Sequence, residues 1–507
     1  MKQPGIKTLG ELKKSGYKSK SVKEEIRENL IRFIQQKKNP FNSILGYEDT
    51  VIPDVERALL SRHNILFLGL RGQAKTRMAR EMINLLDEWV PVVAGSEIND
   101  DPLAPISQYA RETIEAKGDE TPITWLHCGE RYGEKLATPD VSVADLIGDV
   151  DPIKAANLRL SFADEKVIHY GIIPRSHRGI FVINELPDLQ ARIQVSLFNI
   201  LQEGDIQIRG FKLRLPLDIL FVFTANPEDY TNRGSIVTPL KDRIESQIVT
   251  HYPKTIEVSK AITEQEADVL QEQLQRVEMS DICLLLVEQI AMEARKSEYV
   301  DQKSGVSARL TISAYENLVS TAERRALREN HKKTMVRIAD FIGVVPAITG
   351  KIELVYEGEQ EGPLNVAYRL IGQAIRTVFT QYFPDPQSFK KTGRDPQKIK
   401  GKPNPYQPII DWFGKGNELL LLQDETDEAY IQRLYQVDGL HSAVKLFYPK
   451  ADEAQASLLM EFLLHGLSEF SLISKKGVEA GGYSFGDILG SMLNMSLGSI
   501  EEDEEGF

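Results

Sequence analysis

Residues 64–76, reading NILFLGLRGQAKT, limit the fold of this chain more than any other stretch. Residues 64–68 are a short apolar run of the kind that forms a buried parallel strand. Gly69 opens a turn, Gly72 loosens it, and Lys75-Thr76 close it. Met78, Met82 and Leu86, flanked by Ala79 and Ile83, then recur at helical spacing. Strand, glycine turn, Lys-Thr and helix make a phosphate-binding loop of Gly69, Leu70, Arg71, Gly72, Gln73, Ala74, Lys75 and Thr76. The unpaired N–H groups of a helix start point at an anion, and the helix dipole favours negative charge there. Lys75 reaches the outer phosphates of a nucleotide such as ATP, and the Thr76 hydroxyl ligates Mg²⁺. The usual pattern has glycine before the lysine. Here that residue is Ala74, and alanine is expected to need a negative φ there. The alternative is an ordinary strand–turn–helix without a ligand.

Cleaving a phosphate takes more than binding it. It takes a metal, a group that orients water, and cations that meet charge developing on the γ-phosphate. Residues 179–183 are an apolar strand ending in Asn184-Glu185. Where such an end reads Asp-Glu, the aspartate steadies Mg²⁺ and the glutamate polarises the attacking water. Glu185 is present, but Asn184 stands on the metal side. Its amide accepts a hydrogen bond from a metal-bound water and brings no charge, so magnesium affinity is expected to fall. Residues 219–224 form the next strand, followed by Ala225-Asn226-Pro227. Asn226 is the candidate to touch the γ-phosphate or its water, and Pro227 ends the strand. Leu240-Lys241-Asp242-Arg243 comes next. In a ring of subunits Arg243 reaches the neighbour's site as an arginine finger. The alternative is a surface salt bridge to Asp242 or Glu245. Arg309, ahead of a helix in Ser307-Ala308-Arg309, either folds back onto the phosphates or stands on the surface.

The 507 residues allow about three domains. From Ile44 to about Pro253 apolar runs alternate with helical patterns, with strand candidates at residues 64–68, 125–128, 179–183 and 219–224. That alternation predicts an α/β domain, a P-loop αβα sandwich with a parallel sheet, over residues 41–255. Residues 1–40 read as a basic linker arm (Lys13, Lys14, Lys18, Lys20, Lys23) and one amphipathic helix with Ile26, Leu30, Ile31 and Ile34 on its face. Residues 256–350 read as an all-α lid domain, and residues 351–507 as a mainly helical region with a Pro/Lys-rich linker at 384–408. Two apolar stripes, Tyr430, Ile431, Leu434, Tyr435 and Leu459, Phe462, Leu463, Leu467, read as core.

The chain carries a net charge of −13, which argues against a dedicated nucleic-acid binder. The basic start and the acidic residues 501–505 read as solvated ends, with docking of the basic arm on a neighbouring subunit as the alternative. No apolar run approaches the roughly 18 residues of a membrane span. There is no hydrophobic leader, so a cytoplasmic location is expected. Cys128 and Cys283 are too few for a disulfide framework or a thiolate metal site. The eight histidines lack ligand spacing, and His177 beside Arg178 reads as structural. In residues 204–215, Arg209, Lys212 and Arg214 alternate with Ile208, Phe211 and Leu213. That is either a basic hairpin facing a pore or a half-buried hairpin with one wet face.

The series of phosphate loop, Asn-Glu strand, Asn strand, Asp-Arg and helical-domain arginine resembles the AAA+ ATPases. More closely, it resembles their magnesium-chelatase I-subunit and MoxR branch. Phe41-Asn42-Ser43-Ile44-Leu45-Gly46-Tyr47-Glu48 precedes the loop as in that branch, and alanine before the loop lysine is frequent in MoxR proteins. Pro91-Val92-Val93-Ala94-Gly95 and Asn99-Asp100-Asp101-Pro102 are similar to chelatase subunits. The stretch Asp145-Leu146-Ile147-Gly148-Asp149-Val150-Asp151, then Gly171-Ile172-Ile173-Pro174 and His177-Arg178-Gly179-Ile180, resembles their helix-2 insertion, and Glu203-Gly204-Asp205 onward resembles the hairpin before sensor 1. The resemblance covers residues 41–330. It implies that Asn226 is the sensor-1 residue, Arg243 the finger and Arg309 the sensor-2 arginine. It also implies an ATP- and Mg²⁺-dependent ring motor, a hexamer, that remodels a partner protein or a metal-insertion complex. No Asp-x-Ser-x-Ser motif occurs, so a von Willebrand A domain is expected on a separate chain. Asn184 keeps a weakly hydrolysing or non-hydrolysing nucleotide-binding scaffold open as the alternative. A nucleic-acid motor and a transcription activator are further alternatives, although the latter's Gly-Ala-Phe-Thr-Gly-Ala loop and terminal helix-turn-helix are missing.

Overall fold

The computed structural model describes residues 3–161, 164–208, 214–227, 235–389, 404–478 and 481–488. Arg209, Phe211, Lys212 and Leu213 of the basic hairpin lie outside these residues, as do all five lysines of the Pro/Lys-rich stretch and the acidic tail. The chain forms two compact units, Met1–Tyr252 and Pro253–Phe507.

The first unit is built on five parallel strands: β1 (Ile65–Leu68), β2 (Tyr132–Leu136), β3 (Gly179–Asn184), β4 (Ile219–Ala225) and β5 (Ser246–Val249). They lie side by side in the order β5-β1-β4-β3-β2. Successive side chains of a strand point to opposite faces, and here both faces are covered. Ile65, Phe67, Ile180, Val182, Leu220 and Val222 enter one core with Met78, Met82 and the N-terminal helices. Leu66, Phe181, Ile183, Phe221 and Phe223 enter the other, with Ile193 and Ile200. The near-continuous apolar runs follow from this double burial, and the result is the αβα sandwich of a P-loop protein.

Two strands of this sheet escape the sequence pattern. β2 carries Tyr132, Glu134 and Lys135, and β5 carries Ser246 and Gln247, so neither is a purely apolar run. The expected strand at residues 125–128 belongs to Ile123–His127, which pairs antiparallel with Trp89–Val93 outside the central sheet. The segment before the N-terminal helix is packed rather than a linker. Leu9 and Leu12 are buried, Ile123 N donates to Lys7 O at 2.9 Å, and Trp125 Nε1 donates to Ile6 O at 2.9 Å. In the helix itself, α1 (Val22–Gln35), Ile26 and Leu30 are buried but Ile34 is exposed.

The second unit is mainly helical and has one core. Asp281–Ala294, Arg309–Arg328, Pro363–Tyr382 and Glu453–Glu469 are its long helices. Val287, Leu318, Phe379, Leu434 and Phe462 belong to a single buried cluster drawn from both sides of residue 350. Glu461 ties the two sides by accepting from Ile338 N at 3.0 Å and Ala339 N at 2.6 Å. A division at residue 350 therefore has no counterpart in the packing. Leu419–Leu422, Gly482–Gly486 and Ser474–Gly477 form a three-stranded antiparallel sheet that helical periodicity did not announce. Leu459, Phe462, Leu463 and Leu467 are core, whereas Tyr435 at the end of the other stripe is exposed. No helix of the described residues is long and apolar enough to cross a membrane.

Candidate functional site

All five strands of the central sheet run the same way, so their C-terminal ends meet along one edge. Gly69 follows β1, Asn184 ends β3, and Asn226 and Thr250 follow β4 and β5. Helix α2 (Lys75–Glu81) begins at the same edge.

Lys75 is buried, and its Nζ donates to Gly69 O, to Leu70 O at 2.9 Å and to Asn226 Oδ1 at 2.7 Å. The Asn226 Nδ2 in turn donates to Glu185 Oε2 at 2.8 Å. Thr76 Oγ1 donates to Asn184 Oδ1 at 3.1 Å. The structure thus gathers five expected residues, Lys75, Thr76, Asn184, Glu185 and Asn226. The loop of residues 69–76 is braced from outside: Tyr47 OH donates to Gln73 O at 2.9 Å and to His251 O at 2.8 Å, and Thr250 Oγ1 donates to Gln73 Oε1 at 2.8 Å. Burial pushes the Tyr47 hydroxyl up to about 12, so it stays a donor. A Cβ on Gly69 would stand 2.0 Å from Thr250 Oγ1 and 2.2 Å from Gln73 Oε1, so that glycine is required by its neighbours.

Ala74 corrects the sequence reading. Its φ is +53° and ψ +19°, the left-handed conformation that glycine adopts freely. The loop keeps its usual shape, and the alanine carries the strain. Glu185 is also left-handed, at φ +54° and ψ +50°, and its N–H donates to Thr224 Oγ1 at 3.1 Å. Strained non-glycine residues concentrate where a site over-determines the backbone.

Two residues of the site were missed by sequence reasoning. Thr224 Oγ1 donates to Asn184 Oδ1 at 3.1 Å. Glu134 Oε1 accepts from Asn184 Nδ2 at 2.7 Å, and both Glu134 oxygens take the Arg80 guanidinium, at 2.9 and 3.0 Å. Strand parity explains the meeting. Glu134 pairs with Val182, and Asn184 is two residues further on, so both side chains share the face that α2 covers. Burial pushes the Glu134 carboxyl up, but hydrogen bonds from Arg80, Tyr132 and Asn184 outweigh it and leave the carboxyl below its ordinary value.

Arg243 stands apart from this group. It donates to Gln202 Oε1 at 2.8 Å and Pro239 O at 2.7 Å and lies over the Phe198 ring at 5.0 Å. Neither Asp242 nor Glu245 is among these partners, and the Glu245 carboxylate accepts from Asn64 N instead. Arg309 opens the helix Arg309–Arg328 in the second unit, where its N–H donates to Ser307 Oγ at 3.1 Å. His177 is structural: its Nδ1 accepts from Asp218 N at 2.9 Å, and burial followed by Arg178 lowers it to about 4.

Thr76 brings a hydroxyl and Asn184 an amide oxygen, with the Glu134 carboxylate behind that amide. These are hard oxygen ligands, and they fit a magnesium ion carried in on a nucleotide.

No family model matches the chain. Among curated proteins it is similar to the magnesium-chelatase 38 kDa subunit of Cereibacter sphaeroides, 23% identical over 236 residues that make up 45% of this chain and 64% of that one. The same subunit of Rhodobacter capsulatus is 25% identical over 43% of this chain and 57% of its own length. A magnesium-chelatase subunit ChlI homolog of Methanocaldococcus jannaschii is 25% identical over 50% of this chain and 73% of its own. The chain thus spans less than two thirds of the first two relatives. Among solved structures, a complex between subunits BchI and BchD of magnesium chelatase aligns with 63% of this chain and 98% of that one, at 19% identity and a TM-score of 0.32. The parallel sheet, the phosphate loop and the polar strand ends define the class, a P-loop αβα fold. Its curated relatives make the chain similar to magnesium-chelatase subunits over somewhat less than half to half of its length.

Proposed function

We propose that the first unit binds ATP with Mg²⁺ and hydrolyses it, and that the chain works as a ring motor of the chelatase and MoxR kind. The observation that carries this is the hydrogen-bonded series from Lys75 through Asn226 to Glu185, beside the Thr76–Asn184 contact. In this reading Lys75 leaves the carbonyls of Gly69 and Leu70 for the outer phosphates. The N–H groups of the loop and of the start of α2 meet the β-phosphate. Thr76 and Asn184 hold the magnesium ion, which when bound neutralises charge on the phosphates. Glu185 orients the attacking water, and Asn226 holds both Glu185 and the γ-phosphate in place. Arg243 acts on the site of the adjacent subunit in a ring, a hexamer by resemblance, a reading supported by its contacts with Gln202, Pro239 and Phe198 rather than with this chain's own group of polar side chains. Arg309 reports nucleotide state to the helical unit. Hydrolysis then drives remodelling of a separate partner, a von Willebrand A protein or a metal-insertion complex, in the cytoplasm.

Asn184 favours a second reading, a scaffold that binds nucleotide and turns it over slowly or not at all. Steady-state ATPase rates separate the two. The motor reading expects turnover that Glu185→Gln abolishes while binding of a fluorescent ADP analogue persists. Equal background rates for both proteins leave the scaffold. Absence of nucleotide binding, with Lys75→Ala indistinguishable from the parent chain, overturns both.

A further inference from the structure

Asn184 occupies the position where an aspartate would place a negative charge beside the loop threonine. The structure puts a carboxylate one strand away, in contact with that asparagine. An asparagine amide has a donor end and an acceptor end, and a carboxylate only accepts. Glu134 Oε1 takes the Asn184 Nδ2 at 2.7 Å, which leaves Asn184 Oδ1 facing the hydroxyls of Thr76 and Thr224, each at 3.1 Å. With no acceptor at position 134 the amide could turn and present N–H groups to Thr76, the wrong polarity beside a cation.

We propose that Glu134 is the positioning residue for the metal side of this site: it orients and polarises the Asn184 amide and supplies, from β2, the charge that Asn184 lacks. The proposal rests on the nucleotide-binding reading above. A charged acceptor strengthens the hydrogen bond it receives and polarises the amide behind it. Groups that act on a metal through its ligands commonly change affinity as much as a ligand does. Arg80 restrains this carboxylate. Its guanidinium grips both Glu134 oxygens, at 2.9 and 3.0 Å, so it competes with a cation for the same charge. Tyr132 OH adds a further hydrogen bond to Glu134 Oε2 at 2.9 Å.

A charge exchange tests this. The full chain is titrated with Mg²⁺ in the presence of mant-ADP, and the Mg²⁺ concentration that half-tightens binding is read from mant fluorescence. Thermal melts confirm that each variant is folded. Glu134→Gln is expected to raise that concentration about tenfold. Glu134→Gln combined with Asn184→Asp keeps one carboxylate, one amide and the hydrogen bond between them, and is expected to return within about threefold of the parent chain. Arg80→Met removes a mostly exposed side chain and leaves the inner hydrogen bond intact. It is expected to lower the half-tightening concentration by about threefold. The proposal is overturned if Glu134→Gln leaves the magnesium response unchanged, if the double variant is no better than Glu134→Gln, or if Arg80→Met weakens the response. Should the parent chain bind no mant-ADP at all, the nucleotide reading itself fails, which is a different result from a parent chain that responds to Mg²⁺ and a Glu134→Gln variant that responds equally.

Discussion

Lys75 Nζ lies 2.7 Å from Asn226 Oδ1, and the other end of the same amide reaches Glu185 Oε2 at 2.8 Å. The ammonium can only donate and the carboxylate can only accept, so between them they fix which way the amide points. Asn226 therefore couples the phosphate-binding cation to the group proposed to orient water. Replacing it with alanine is expected to lower ATP turnover by about tenfold to a hundredfold, in the range of a lost positioning or oxyanion-type contact. Affinity for mant-ADP should change much less, because the loop N–H groups and Lys75 remain. Parallel measurement of kcat and of mant-ADP affinity checks this. Equal losses in both would instead make Asn226 a binding residue.

Ala74 sits at φ +53° directly before the loop lysine. A left-handed alanine costs about 1–2 kcal/mol, and glycine gives back part of that gain in unfolded-state entropy. Ala74→Gly is expected to stabilise the first unit by roughly 0.5–1 kcal/mol, read as an upward shift of its urea midpoint. A destabilised variant would show that the alanine methyl makes packing contacts worth more than the strain.

The elements legible in the sequence were those with a single dominant period or a chemical landmark. β1, β3 and β4 are apolar on both faces and announce themselves, and the loop of residues 69–76 combines spacing with residue type. β5 and β2 were not legible, because their polar residues serve partners that only the fold supplies. Ser246 hydrogen-bonds His63, and Glu134 meets Arg80 and Asn184. The same limit hid Thr224, which reads as one more β-branched strand residue. The φ of Ala74 was misjudged from residue preference alone, which tertiary contacts override: Tyr47 and Thr250 brace Gln73 on the one side and Lys75 is fastened on the other.

Asp218 and His177 give the first unit opposing responses to acid. Burial pushes the Asp218 carboxyl from 3.8 up to about 6, and burial with the nearby Arg178 lowers His177 from 6.5 to about 4. Asp218 binds its proton more tightly when folded, so its contribution is present below about 3.8 and is lost as pH rises through about 6. His177 binds its proton less tightly when folded, so its contribution is present above 6.5 and is lost as pH falls through about 4. Between those limits the two partly cancel. Asp218→Asn keeps an oxygen for Val22 N, which now donates to Asp218 Oδ2 at 2.7 Å, and removes only the buried charge. The variant is expected to exceed the parent chain by about 1–3 kcal/mol at pH 7.5, an advantage that disappears toward pH 4. Urea midpoints at the two pH values measure it, and an advantage that grows in acid would refute the assignment.

Glu25 and Arg131 decide whether the N-terminal segment is an arm or part of the fold. Glu25 lies on α1, and Arg131 immediately precedes β2. Their side chains are 6% and 1% exposed, and the guanidinium meets both carboxylate oxygens at 2.7 Å. Arg131 Nε also donates to Arg178 O at 2.8 Å, and Glu25 Oε1 accepts from Asp87 N at 2.5 Å. Two charges this deep are costly to bury, so breaking the pair strands one of them, whereas removing both costs less. Glu25→Ala alone is expected to destabilise the first unit by about 3–5 kcal/mol, and Glu25→Leu with Arg131→Met by clearly less. Deleting residues 1–40 should cost at least as much as Glu25→Ala, because it strands Arg131 and also uncovers Leu59, Met78 and the sheet face that Val22, Ile26 and Leu30 cover. If the deletion leaves the urea midpoint where it was, the segment is the dispensable basic arm that its lysines suggest. If the deletion and Glu25→Ala fall together, the strand that presents Glu134 depends on a helix at the start of the chain, because the residue before β2 is fastened to it.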